Sequence, residues 1–227
     1  MVIPSPFSPG RMGHSGAICF TVATSGGFPP RLGGLAVAAH RICRYLADAG
    51  FDVHVVTYSP DASTSSMVED RLTVHRLAKS ENHFKGSFAF QHFLRHLDSE
   101  VHFDLFHGFF LSSVPPSMAV AATPKNGSVR PVIASIRGSD AKLYLPHPYL
   151  GPLLVSALGK SNCWVTSVNE TYLDYVAGRV RIEGRSSVIR NSAPVPNRNW
   201  RLGEDNFGVI GCTGEFRKVK EIGRAHV

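Results

Sequence analysis

Several short runs of this sequence carry residues that could meet an anion or a hydroxyl-rich ligand. Gly33 and Gly34 stand directly before a run with helical periodicity. Without side chains, their backbone N–H groups can approach a diphosphate, and a helix amino terminus adds about half a positive charge. In isolation the same pair also reads as a tight turn. Arg217, Lys218 and Lys220 follow a strand-like run. Charge-assisted bonds from such residues would hold a diphosphate and neutralise a leaving group. A solvated basic turn is the plain alternative, above all at Lys218. Arg137 and Asp140, in Arg-Gly-Ser-Asp, close another apolar run. The guanidinium suits an anionic or hydroxyl-rich partner and the carboxylate could orient hydroxyls, or the two pair locally and fix the loop. His107, in Asp-Leu-Phe-His, is either a contact or a structural histidine.

These residues need elements to position them. Ile18–Thr24 reads as a strand, Ser25–Gly34 as a loop and Leu35–Ala49 as a helix stopped by Gly50, before a second strand, Val53–Tyr58. At about 100° per residue, Leu35, Ala39, Ile42, Cys43 and Leu46 share one stripe, opposite His40, Arg41, Arg44 and Asp48. A helix with one dry side after a strand dry on both faces packs on a parallel sheet. Such sheets bind ligands outside the carboxyl ends of their strands, where the glycine pair and Arg137 would lie. The absence of G-x-G-x-x-G, and of an acidic residue after Thr57 and Tyr58, disfavours a dinucleotide site.

Further strands are expected at Leu72–Ala78, Asp104–His107, Pro131–Ile136, Cys163–Val168 and Val188–Asn191, with Ser59–Asp70 a polar stretch. Helices are expected over Gly86–Ser99, after Ser112, Ser113 and Pro115, over Tyr149–Leu158, and after an Asn169 cap. The fold class is α/β: a Rossmann-like parallel sheet with helices on both faces. In the aromatic helix Phe90, Phe93, Leu94 and Leu97 align, which points to core. With Phe84, Lys85 and Arg95 nearby, a membrane surface is the other reading.

The chain has 227 residues, 43% of them apolar and 18% charged, with a net charge of +7. That composition is globular, and the charge favours anionic partners. No dense Lys/Arg block or zinc-finger pattern points to nucleic acid. Cys19, Cys43, Cys163 and Cys212 lack metal spacing and read as small core residues in a reducing compartment. No apolar run approaches the roughly 18 residues of a membrane span, and Met1–Ser15 lacks a signal-peptide core, so the cytoplasm is the expected location.

Five segments are expected: a loose extension (1–16), the Rossmann-like domain (17–193), a proline-containing linker (194–206), the opening strand and loop of a second domain (207–220), and a tail (221–227). The tail, EIGRAHV, is what GAG ATC GGA AGA GCA CAC GTC encodes, a run resembling a sequencing adapter. It is expected not to be biological.

In order along the chain, FPPRLGGLA, GFDVHVVTY, FDLFHGFF, PVIASIRGSD, TSVNETYLDYV, VIRNSAPV and FGVIGCTGEFRKVK resemble the amino-terminal half of glycosyltransferase family four, which has the GT-B fold. The resemblance implies two Rossmann-like domains across a cleft and retaining transfer from a nucleotide-diphosphate sugar. That sugar is a co-substrate, and no cofactor or metal is implied. The catalytic residues stay unassigned. Gly33, Gly34, Arg217 and Lys220 would bind the donor diphosphate. His107, Arg137 and Asp140 would face a sugar, lipid or small-molecule acceptor, with peripheral contact at the inner membrane face if that acceptor is a lipid. The sequence departs from the family pattern at Glu215, where an arginine is usual, at Phe109, where a second histidine is frequent, and at Arg137, where many relatives carry histidine. The downstream Glu-x7-Glu region is missing, so residues 1–227 alone are expected to be inactive. Another GT-B enzyme, such as a nucleotide-sugar epimerase, and a non-catalytic module of the same fold are the alternatives.

Overall fold

β1 (Ala17–Ser25), α1 (Gly34–Asp48) and β2 (Asp52–Tyr58) form the expected opening βαβ unit, with β1 and β2 parallel and Ile18 beside Val53. The computed structural model describes residues 16–25, 28–29, 33–59, 63–80 and 83–191. The chain divides into two units, Met1–Asn191 and Ser192–Val227. The second unit lies outside the described residues, and with it the linker, Arg217, Lys218, Lys220, Cys212 and the tail. The extension before Gly16 lies outside them too.

After β2 come β3 (Ser65–Glu69), β4 (Leu72–Leu77), α2 (His83–Val101) and β5 (Leu105–Phe109). A single 3-10 turn (Leu111–Ser113) leads into α3 (Val114–Ala121) and β6 (Val132–Ile136). The unit ends with α4 (Asp140–Tyr144), α5 (Leu150–Leu158), β7 (Cys163–Ser167), α6 (Glu170–Ala177) and β8 (Ser186–Val188). The sheet runs β3-β4-β2-β1-β5-β6-β7-β8 and is parallel except for the antiparallel β3–β4 pair.

The chain moves outward from β1 through β2 to β4, then jumps back past β1 to β5. Right-handed crossovers therefore place α1 on one face of the sheet and the helices after β4 on the other. Two cores follow. On the α1 face, Ala39, Cys43 and Ala47 pack on Phe20, Val53, Val55 and Phe109. On the opposite face Phe90, Leu94, Leu97, Phe103 and Phe106 join the residues of α3, α5 and β7. Each such Val, Leu or Phe side chain contributes about 1.5–3 kcal/mol by leaving water. The stripe on α2 is thus core, as the apolar spacing suggests, while Phe88 alone among its described large apolar residues is exposed. No helix among the described residues is long and apolar enough to cross a membrane.

Arg130 ties the lower edge together. Its guanidinium pairs with Asp98 and donates to the carbonyls of Phe103 (3.3 Å), Val120 (2.8 Å) and Thr123 (3.2 Å). At the far end of the sheet, Cys163 and Val165 turn into the helix-covered core. Trp164, between them, must face the other way. It is 44% exposed, and its indole N–H donates to Ser187 Oγ at 3.1 Å.

Three elements differ from the sequence expectation. The polar stretch 59–70 contains β3, whose five residues are all exposed, so no alternation marks it. Its partner β4 fixes its register, and Asp70, at φ 53°, makes the tight return. The last strand is Ser186–Val188, not Val188–Asn191, and Ile189 makes the final ladder bond to Ser167. The short α4 replaces an expected loop after Arg137. The cap is as expected: Asn169 Oδ1 accepts from the Tyr172 N–H at 3.0 Å. Cys19, Cys43 and Cys163 are buried and free, and burial raises all three thiols well above their usual range.

Candidate functional site

β1 and β5 are neighbours, yet the chain leaves them toward opposite faces, so a crevice opens at their carboxyl ends. Side chains join its two walls. Ser113 Oγ accepts from the Ala23 N–H at 2.7 Å and donates to the Phe109 carbonyl at 3.3 Å. Gly108 permits this close return: a Cβ there would sit 3.0 Å from Val114 Cγ2 and 3.1 Å from Val114 Cα. Phe110 follows at φ 88°, a left-handed conformation costing a non-glycine residue on the order of 1–3 kcal/mol. Its N–H donates to the Ser135 carbonyl (3.0 Å), and its ring meets Tyr144 edge-on (5.7 Å).

Gly33 and Gly34 stand at the amino end of α1, beyond the carboxyl end of β1. Gly33 has φ 178°, extended backbone that any residue adopts. Neither glycine has an atom within 4 Å of where a Cβ would sit, and both are exposed. Among the described residues, no close contact requires glycine at either position. Nearby, Arg76 of β4 bonds the Pro29 carbonyl, and buried Phe28 meets the His40 ring at 5.6 Å. Thr24 Oγ1, at the end of β1, is buried with no hydrogen-bond partner among the described residues.

Asp140 is 1% exposed and fully engaged by the backbone. Oδ1 accepts from the N–H groups of Arg137 (3.2 Å) and Gly138 (3.0 Å), and Oδ2 accepts from that of Leu111 (3.0 Å). It binds the loop after β6 to the turn after β5. Burial pushes its carboxyl up to about 6, against the pull of those N–H groups. This is the loop-fixing role, made through the Arg137 backbone instead of its guanidinium.

His107 is buried within the sheet. Its Nε2 lies 2.7 Å from Ser135 Oγ, which lies 2.7 Å from Thr166 Oγ1, a polar row across β5, β6 and β7. Phe20 packs against its ring at 4.5 Å. Burial first, and Arg137 second, hold its imidazole down at about 3, so it is neutral. It sits behind the crevice, not in it.

Arg137 reaches back over β5. Its guanidinium carbon lies 4.5 Å from the centroid of the Phe109 ring, and it donates to Asn191 Oδ1. Burial lowers its pKa, and the Asp140 charge opposes that shift. The structure thus brings a half-buried Arg137 between the buried Phe109 ring and the exposed Asn191. Phe109 and Asn191 were not anticipated as site residues. The available signal was that Phe109 and Arg137 both depart from the family's histidines. Arg217 and Lys220 lie outside the described residues.

Among solved structures, the fold is similar to sucrose-phosphate synthase from Thermosynechococcus elongatus. The TM-score is 0.58 at 15% identity, over 77% of this chain and 48% of that one. A second structure of that synthase matches at TM-score 0.58 and 12% identity, over 78% of this chain and 89% of that one. The chain therefore spans about half the length of the first of these. No curated protein matches. Residues 32–194, well over half the chain, match Glycosyltransferase Family 4 and cover every element from α1 to β8. The chain belongs to glycosyltransferase family 4.

Proposed function

We propose that the complete protein transfers a sugar from a nucleotide-diphosphate sugar to an acceptor, with retention and without a metal. This chain would supply the acceptor-side domain (17–193) and the opening of the donor-side one (207–220). The carrying observation is the Gly33–Gly34 turn: exposed, extended at Gly33, and empty where both Cβ atoms would stand. No contact among the described residues requires those glycines, which supports a role for their bare backbone toward a ligand. A diphosphate fits, because the amino-terminal N–H groups of a 15-residue helix favour negative charge.

In this reading Gly33, Gly34, Arg217 and Lys220 all bind the donor diphosphate. The bond from the sugar's anomeric carbon to the diphosphate oxygen breaks, and the acceptor oxygen bonds to that carbon and gives up its proton. Charge collecting on the departing nucleoside diphosphate is met by fixed N–H dipoles and cations. Arg137 faces the acceptor, while Asp140 and His107 keep its loop and strand in place.

The test is nucleotide-sugar binding by the complete protein. Gly34→Val should weaken it tenfold or more with the fold intact, and Lys220→Ala should do the same. Unchanged affinity in both variants would overturn the proposal in favour of a non-catalytic module.

A further inference from the structure

We infer that the acceptor carries an oxyanion, a phosphate or carboxylate group, and that Arg137 is the residue that receives it. The inference rests on the acceptor-side reading of this corner. Arg44, Arg130, Arg181 and Arg190 each bond a carboxylate. Among the described residues Arg137 does not, nor do Arg71, Arg76, Arg179 and Arg185, which donate to backbone carbonyls. The side-chain bond of Arg137 among the described residues is to the neutral amide oxygen of Asn191, and one face of the guanidinium rests on Phe109. The Asp140 carboxylate, three residues on, has its oxygens taken by three backbone N–H groups.

Holding a cation half out of water without a bonded counter-charge is unfavourable. The fold nevertheless fixes this one in place, at the ligand edge of the sheet. With Phe109 beneath it and one Nη bonded to Asn191, the guanidinium keeps further N–H donors that have no partner among the described residues, in the fork geometry an oxyanion accepts bidentately. A single neutral hydroxyl would use only part of that fork.

The donor is the less suitable source of the oxyanion. Gly33 and Gly34 follow β1, whereas Arg137 follows β6, and β5 lies between them. Two strand spacings separate the β1 and β6 backbones by roughly 10 Å. With the diphosphate on the glycine pair, we take the Arg137 anion to be a second group.

The probe is inorganic phosphate, titrated at constant ionic strength against chloride. Phosphate should move the Arg137 Nε–H signal in a 1H–15N spectrum saturably, the signal being assigned by its loss in Arg137→Gln. It should raise the thermal midpoint of the wild-type chain and not that of Arg137→Gln. Arg137→Lys should bind phosphate about tenfold more weakly than wild type. An unmoved signal, or equal stabilisation of wild type and Arg137→Gln, would overturn the inference. Displacement of phosphate from Arg137 by UDP would assign the group to the donor and sink the acceptor claim. Sugar transfer itself stands or falls on the Gly34 and Lys220 variants, whichever way this titration goes.

Discussion

The guanidinium of Arg137 lies over the ring of Phe109, 4.5 Å from its centroid. The two residues are on adjacent strand ends, and the aromatic face gives the cation a platform. In the reading proposed above, this pairing holds a permanent charge on an apolar support where an anion would bind.

Gly34→Ala should separate stability from binding. With open space at the Cβ position, the substitution should leave the fold unchanged or raise its stability by about 0.4–1 kcal/mol through the unfolded chain. Chemical denaturation measures this. A loss above 1 kcal/mol would mean the turn needs glycine after all.

Acid should weaken the domain through its buried histidines. His107 is held at about 3 and His75 at about 4, each below the ordinary 6.5. Below pH 6.5 the unfolded chain takes up protons that the native one refuses. Stability therefore falls as pH drops toward those values, by up to about 1.4 kcal/mol per pH unit for each ring. Asp140, raised to about 6 from 3.8, works in the opposite direction between those two values. Urea midpoints from pH 7.5 to 4.5 should thus fall less steeply in His107→Gln and more steeply in Asp140→Asn.

Arg130→Met should cost about 3–5 kcal/mol, because it leaves Asp98 and the carbonyls of Phe103, Val120 and Thr123 without their shared donor. A loss below 1 kcal/mol in equilibrium unfolding would show that water replaces the guanidinium easily.

Asn169→Ala should cost about 1 kcal/mol, since it removes the acceptor for the Tyr172 N–H at the start of α6. Asn169→Ser should recover most of that loss in the same measurement.

The parallel sheet was legible because its central strands β1, β2, β5 and β6 are largely buried on both faces and read as apolar runs. The strand β3 was not, because all five of its residues face water and only pairing with β4 makes it a strand. Around the site, residue type pointed to Gly33, Gly34 and Arg137, since bare backbone and fixed charge carry local meaning. The division of labour after β6 was illegible. Sequence places Arg137 and Asp140 three apart and suggests a pair; the fold turns one outward onto Phe109 and the other inward onto three N–H groups. His107 likewise shows its place only when the polar row through Ser135 and Thr166 is assembled from three strands.

The chain contains two tryptophans, and Trp164 is the one within the described domain. Its indole is nearly half open to water on the side of the sheet turned away from the α5 core, and it is anchored by Ser187. Any molecule that came to rest there would dry that ring and shift its emission to the blue. The domain thus carries an intrinsic optical sensor for occupancy of its bare flank, readable without a label.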